Sequence, residues 1–178
     1  MTTTTYDDVA EEIVSSTNEV FSTMIPMEIK SDGSFYQKED MISTDIMALV
    51  SFTGEHSGIL AIFCSRDIAL KITSSMLGIE ATEIDQDTKD AMGEVTNMIA
   101  GTLKNKILEK FGAMHLSIPI VIAGESLTIR SATDNSKDSR EIKIASGVTC
   151  NSQSSWLMTP FSSNGSSFNV GFVFKKND

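Results

Sequence analysis

Residues 90–101 have the sequence DAMGEVTNMIAG, in which apolar residues recur at the spacing of an amphipathic helix. At about 100° per residue, one side of this helix carries the apolar residues Met92, Val95, Ile99 and Leu103. The opposite side carries Asp90, Glu94, Asn97 and Gly101. Because the core does not need these polar side chains, Glu94 and Asn97 form a candidate docking and catalytic edge, and Gly101 leaves room for another surface to approach. The same pattern is also typical of a helix face that is merely solvated.

The size and charge of the chain limit its organisation and its partners. With 178 residues it has the usual length of one domain, so we expect a single domain over residues 1–178, with residues 1–5 frayed. Its 14 Lys and Arg against 24 Asp and Glu give a formal net charge of −10. This charge disfavours nucleic acid and membrane surfaces as partners. The densest basic group, Lys104, Lys106 and Lys110, is too small to change that expectation.

The two cysteines, Cys64 and Cys150, each lie within a strand-like apolar stretch and have no second Cys or His at metal-ligand spacing. We therefore expect buried free thiols. The N-terminal residues contain neither a basic region nor an apolar run, and no apolar segment has the length needed to cross a bilayer. The sequence predicts a cytoplasmic protein in a reducing compartment.

The first part of the chain alternates helical and strand patterns. Apolar spacing predicts a helix from Tyr6 to Met24, which ends before Pro26. A second helix, capped by Ser65 or Asp67, is predicted to end at Gly78. Strands are predicted over Met27–Ile29, Ile46–Thr53 and Gly58–Cys64. The last two form a hairpin with its turn at residues 53–58.

A long central helix is predicted from Asp87 to Phe111, where Gly112 ends it. Beyond it, an antiparallel meander is predicted over Ile120–Ala123, Ser126–Arg130, Glu141–Cys150, Trp156–Phe161 and Phe168–Phe174. Two polar stretches, Ser131–Ser139 and Ser162–Ser167, are predicted to be mobile loops. The predicted fold is α+β, with two long amphipathic helices packed on an antiparallel sheet.

The first helix repeats the polar spacing of the central one. Its residues Glu11, Ser15 and Asn18 have the spacing of Asp90, Glu94 and Asn97. An internal duplication of a helix-plus-strands unit would explain this, and so would chance. Ser15 stands where the carboxylate would be, so the first copy would be chemically incomplete.

The usual cofactor and nucleophile motifs are absent from the sequence. It contains no phosphate-binding glycine loop, no Gly-x-Ser-x-Gly elbow and no His-Glu-x-x-His. Its two histidines, His56 and His115, are interpreted as turn or surface residues rather than general bases. Any chemistry must then come from carboxylates and amides.

Several features together resemble one known family. They are Asp90-xxx-Glu94-xx-Asn97, Pro119 beyond the helix end, the hairpin sequence FTGEHSG at residues 52–58, and Ala69 followed by Met76-Leu77-Gly78. This combination resembles the CheC/CheX family of chemotaxis phosphatases over nearly the whole chain. CheC-related members carry the Glu-x-x-Asn pair on two helices and CheX-like members on one. Ser15 in place of a first Glu makes the chain similar to the CheX-like branch.

The resemblance implies hydrolysis of the aspartyl phosphate of a phosphorylated CheY-type response regulator. An acyl phosphate is labile, so the catalyst mainly has to orient a water molecule in line with phosphorus. The carboxamide of Asn97 suits that task because it carries no negative charge. Glu94 would instead bind a lysine of the regulator and fix the docking register.

The resemblance also implies partners and cofactors. Asp90, Gly101 and Lys104 would contact the regulator beside the catalytic pair. The chain would need no cofactor of its own, because the magnesium ion would belong to the regulator. A homodimer formed through the sheet is expected.

Two other interpretations remain open at this point. The chain could be a non-catalytic adaptor that binds a response regulator or another signalling protein through the same helix. It could also be a structural dimer whose polar helix face is only solvated.

Overall fold

The computed structural model describes residues 6–37, 41–130 and 156–176. It contains the helices α1 (Tyr6–Met24), α2 (Arg66–Leu77) and α3 (Gln86–Phe111). Its strands are β1 (Lys30–Ser31), β2 (Phe35–Tyr36), β3 (Met41–Gly54), β4 (His56–Cys64), β5 (Met114–Leu116), β6 (Ile120–Arg130), β7 (Leu157–Ser163) and β8 (Ser166–Lys176). The predicted α+β class is confirmed, since α1 and α3 pack on one antiparallel sheet.

The sheet has the strand order β1-β7-β8-β4-β3-β5, with β6 also paired to β3 and β2 to β7. Strand β3 is long enough to pair with β6 along its first part and with β5 along Phe52–Gly54. The predicted meander is therefore wrong, because β6 pairs with β3 whereas β7 pairs with β8, and β4 lies between β3 and β8. The predicted strand Glu141–Cys150, with its Cys150, and the predicted loop Ser131–Ser139 lie outside the described residues.

The core lies between the helices and one face of the sheet. The predicted apolar side of α3 is buried there, with Met92, Val95, Ile99 and Leu103 each 0% exposed. Helix α1 contributes Val9, Ile13, Val20 and Phe21. The other face of the sheet carries a second buried apolar cluster, which includes Met47, Leu49 and Phe63. Both faces of the central strands β3 and β4 are therefore buried.

The helix boundaries follow local signals in the sequence. Helix α1 has the predicted bounds. The predicted stop of α2 at Gly78 is confirmed, with a left-handed φ of 67° and a hydrogen bond from its N–H to the Ser74 carbonyl. Gly112, with a φ of 75°, ends α3 as predicted, and its N–H bonds to the Leu108 carbonyl. Left-handed conformations of this kind favour glycine.

Several predicted strand boundaries are wrong. Residues 27–29 form no strand, because the backbone first pairs with β7 at Lys30. The turn predicted over residues 53–58 shrinks to Glu55. Residues 120–130 form one strand, in which Ser126 adopts a φ of 51° and the pairing with β3 shifts register between Thr44 and Ile46. This shift is a β-bulge or a similar irregularity, which keeps the two halves in one strand.

The mobile loop predicted over Ser162–Ser167 is also wrong. Strands β7 and β8 run to Ser163 and from Ser166, which leaves Asn164 and Gly165 as the turn. Their φ values are 46° and 79°. An Asn-Gly pair with positive φ angles is the preferred two-residue hairpin turn, since its twist matches that of the strands.

Cys64 lies at the end of β4, buried and with a free thiol, as the sequence predicts. Burial, reinforced by the nearby Asp45 carboxylate, raises the pKa of this thiol to about 12. A thiol in this state is a poor nucleophile. None of the helices within the described ranges is both long and apolar enough to cross a membrane.

Candidate functional site

The outer face of α3 carries all of the predicted site residues. Asp90 and Glu94 are exposed, whereas Asn97, Gly101 and Lys104 are half-buried. They lie opposite the fully buried apolar positions because the polar and apolar residues each repeat every three or four positions. The structure therefore brings the five residues together along one stripe, and none of them lies in the core. We call this stripe the α3 face.

Helix α3 is fixed at its start and on its buried side. The Asp85 carboxylate accepts a hydrogen bond from the Thr88 backbone N–H at 2.9 Å. This bond lowers the pKa of Asp85 below its ordinary value of 3.8. Between Glu94 and Asn97, the buried Thr96 hydroxyl donates to the Met92 carbonyl at 2.7 Å. The α3 face is thus presented by a helix with a satisfied cap and a satisfied buried hydroxyl.

The polar residues of the α3 face differ in their hydrogen-bond partners within the chain. Asp90 accepts a hydrogen bond from the Gln86 side-chain amide at 2.7 Å. Within the described part of the chain, neither the Glu94 carboxylate nor the Asn97 carboxamide has a hydrogen-bond or ion-pair partner. Both side chains are therefore available to a group that approaches from outside.

Helix α1 forms one wall of a groove beside the α3 face, and the sequence did not predict this wall. An open groove of about 360 Å³ lies between α1 and α3. Its lining includes Met24 and Thr23 from α1 and Met98, Gly101 and Lys104 from α3. A Cβ atom added to Gly101 would meet nothing within 4 Å, so this glycine leaves open space, as the sequence predicts. Periodicity identifies which face of each helix is apolar, but not where the two helices meet.

Lys106 of α3 contacts α1 at Ser15, within the incomplete repeat of the polar spacing. The Lys106 ammonium donates to the Ser15 hydroxyl at 2.7 Å and bridges to the Glu19 carboxylate at 2.9 Å. Asn18 is exposed on the same helix. These contacts tie α1 to α3, and the internal duplication stays a prediction.

His56 has the surroundings of a structural residue, and His115 has those of a surface residue. His56 stacks on Phe174 and donates from Nδ1 to the Phe111 carbonyl at 3.0 Å, next to the end of α3. His115 is exposed on β5. Across the described ranges, no group of three or more His, Cys, Asp or Glu side chains could hold a metal ion.

Comparisons with known proteins give one consistent family. The family described as chemotaxis phosphatase CheX matches residues 46–143. The CheY-P phosphatase CheX of Thermotoga maritima is 27% identical over 124 residues, which cover 69% of this chain and 80% of that protein.

Solved structures give the same fold. Chemotaxis protein CheX from Desulfovibrio desulfuricans superposes with a TM-score of 0.77 at 28% identity, covering 94% of this chain and 99% of the other. A CheX-CheY-BeF3-Mg²⁺ complex from Borrelia burgdorferi contains a chain with a TM-score of 0.68 at 21% identity, covering 93% and 97%. At that identity the second likeness concerns the fold alone.

Proposed function

The chain belongs to the chemotaxis phosphatase CheX family, and we propose that it hydrolyses the aspartyl phosphate of a CheY-type response regulator. The observation that carries this proposal is the Glu94 and Asn97 pair, which is accessible on α3 and has no partner within the described residues. The name of the Thermotoga maritima relative, a CheY-P phosphatase, supports the same substrate. A single Glu-x-x-Asn pair assigns the chain to the CheX-like branch.

The proposed catalytic residue Asn97 orients the attacking water. Its carboxamide both accepts and donates hydrogen bonds, so it can hold a water molecule in line with phosphorus without adding negative charge. The water oxygen forms a bond to phosphorus while the bond from phosphorus to the aspartate oxygen breaks. The products are inorganic phosphate and the free aspartate carboxylate of the regulator. Because the acyl phosphate is already reactive, orientation supplies most of the catalysis that is needed.

Glu94 has a different proposed role. A carboxylate beside a phosphoryl group is repelled unless a cation accompanies it, so Glu94 binds a lysine of the regulator. This charge-assisted bond fixes the register of α3 against the regulator's active site. Asp90, Gly101 and Lys104 line the remainder of the contact, which fits their positions on the α3 face.

Magnesium in this reaction belongs to the regulator. The Borrelia burgdorferi complex contains CheY, BeF3 and Mg²⁺ together with CheX. A magnesium ion on the regulator neutralises the phosphoryl oxygens, and we propose no cofactor held by this chain itself. We further propose a cytoplasmic protein whose residues 1–178 form a single domain and which pairs through its sheet as a homodimer. Its mass in solution at micromolar concentration tests the pairing, and a strict monomer would contradict it.

The decisive experiment follows the loss of label from phosphorylated candidate regulators in the presence of magnesium. We expect the wild-type chain to accelerate this loss and Asn97→Ala to remove the acceleration while binding persists. Asn18→Ala, the same change at the matching position of α1, is the control and should retain full activity. Unchanged turnover in Asn97→Ala would reject the water-orienting role. Binding of a regulator without any turnover in the wild-type chain would instead establish the adaptor function.

A further inference from the structure

Ile118, in the link between β5 and β6, is 82% exposed. This is the largest exposed fraction among the exposed large apolar residues of the described ranges. A single exposed isoleucine is not informative on its own. Ile118 is informative because of its surroundings. The link that carries it is held rigidly next to the α3 face.

Hydrogen bonds fix the backbone on both sides of the Ile118 side chain. Ser117 donates its backbone N–H to the Ser51 carbonyl at 3.0 Å and accepts on its hydroxyl from the Ser51 N–H at 3.0 Å. The same hydroxyl donates to the Ile118 carbonyl at 2.9 Å. Pro119 then restricts the next φ angle. An apolar side chain presented by such a link loses little conformational entropy when another surface covers it.

The link contacts α3 at the level of the proposed catalytic pair. A Cβ atom added to Gly93 would lie 3.5 Å from Pro119 Cγ and 3.4 Å from Val121 Cγ2, which is van der Waals contact. Gly93 directly precedes Glu94 and is one turn from Asn97. Ile118 therefore borders the α3 face on its β6 side.

The opposite border of the α3 face also exposes an apolar side chain, among the polar residues Glu19, Thr23 and Asn105 that line the same groove. Met24 is 56% exposed and lines the groove between α1 and α3 together with Met98 and Gly101. The polar pair consequently lies between two exposed apolar side chains, Ile118 and Met24. Apolar contacts that surround a charged contact exclude water and strengthen it.

We propose that Ile118 is a docking anchor for the phosphorylated regulator, with Met24 as the contact on the other border. This inference rests on the proposed function. The alternative occupant is a second copy of this chain, which a change in oligomeric mass on mutation of Ile118 would reveal. The regulator surface next to its phosphorylated aspartate therefore carries apolar side chains that cover Ile118 and Met24.

The test compares Ile118→Ser with Phe35→Ser, using a regulator treated with beryllofluoride and magnesium as the probe. Phe35 is 48% exposed on β2, which pairs with β7 at the edge of the sheet far from β6. We expect the Kd to rise about tenfold for Ile118→Ser and to stay unchanged for Phe35→Ser. Met24→Ser should raise the Kd in the same direction. In turnover assays, KM should rise for Ile118→Ser while kcat is retained, because the Glu94 and Asn97 pair is intact.

Two results would overturn this inference. One is an Ile118→Ser affinity equal to that of the Phe35→Ser control. The other is a change in oligomeric mass in Ile118→Ser, which would make Ile118 part of a contact between copies. Failure of the proposed function looks different, since the wild-type chain would then bind the treated regulator without accelerating dephosphorylation.

Discussion

The Asp45 carboxylate on β3 accepts a hydrogen bond from the backbone N–H of Arg66, the first residue of α2, at 3.0 Å. Its other oxygen accepts from the Ser126 N–H on β6 at 3.3 Å. Ser65, the residue at the N-cap position, makes no capping hydrogen bond with its side chain. A residue distant in sequence thus satisfies the first donor of α2 and connects this helix to an edge strand.

Asp45→Ala should destabilise the chain more than Ser65→Ala. Removal of the carboxylate leaves two backbone donors without their acceptor, and a lost helix cap of this kind costs about 1–2 kcal/mol. Ser65→Ala removes no side-chain cap and should cost less than about 0.5 kcal/mol. Urea unfolding of both variants measures the difference. Equal losses would contradict the assignment of Asp45 as the cap.

The sequence predicts the parts of the fold that depend on local signals. The bounds of α1 and the glycine ends of α2 and α3 follow from apolar spacing and from residues that stop a helix. The turn at Asn164 and Gly165 was missed in favour of a mobile loop, although an Asn-Gly pair between apolar runs is a hairpin signal. The position of β6 beside β3 was not readable from the sequence, since it depends on pairing between distant segments. The Asp45 cap was hidden for the same reason.

The same distinction between local signals and long-range packing applies to the candidate site. The accessibility of Glu94 and Asn97 follows from the period of a single helix, so the sequence predicted it. The wall supplied by Met24 and the border supplied by Ile118 depend on how other elements pack beside α3. No spacing within α3 contains that information.

Asp85→Asn should change the acid sensitivity of the chain. Hydrogen bonding to Thr88 lowers the pKa of Asp85 in the folded state below 3.8. The charged form therefore adds stability above pH 3.8, and this contribution is lost as the pH falls through the folded pKa. Asparagine caps a helix equally well but does not titrate in this range. The stability advantage of the wild-type chain over Asp85→Asn should shrink as the pH falls below about 4 in unfolding experiments. A constant difference between pH 2 and pH 6 would contradict this role.

Glu94→Gln should weaken docking in a manner that depends on salt. The change keeps the size of the side chain and removes the charge that binds the proposed regulator lysine, so affinity for the beryllofluoride-treated regulator should fall about fivefold at low ionic strength. The difference should narrow at high salt, where charges are screened. Glu109→Gln makes the same change about four turns further along α3 and should have little effect. Equal losses in the two variants would indicate a general charge effect instead of a specific contact.

Alanine at either glycine of α3 should stabilise the chain. Gly93 and Gly101 both lie within the helix, where replacement of glycine by alanine adds about 0.5–1 kcal/mol. The space permits both changes, because an added Cβ has ordinary contacts at Gly93 and none within 4 Å at Gly101. Thermal or urea unfolding measures the gain. A loss of stability in Gly93→Ala would show that α3 and Pro119 are packed more tightly than these distances indicate.

Gly101→Gln should separate folding from docking. Glutamine is a good helix former, and the open space at Gly101 accommodates it without disturbing the fold, so stability should be retained or increased. The longer side chain would project from the α3 face into the groove that the regulator is proposed to contact, and the Kd for the beryllofluoride-treated regulator should rise. Gly93→Ala is the matched control, because its added methyl group points toward Pro119 and Val121 and leaves the groove unchanged. If Gly101→Gln bound the regulator as tightly as Gly93→Ala does, the groove would lie outside the contact, and the room left by this glycine would have no part in recognition.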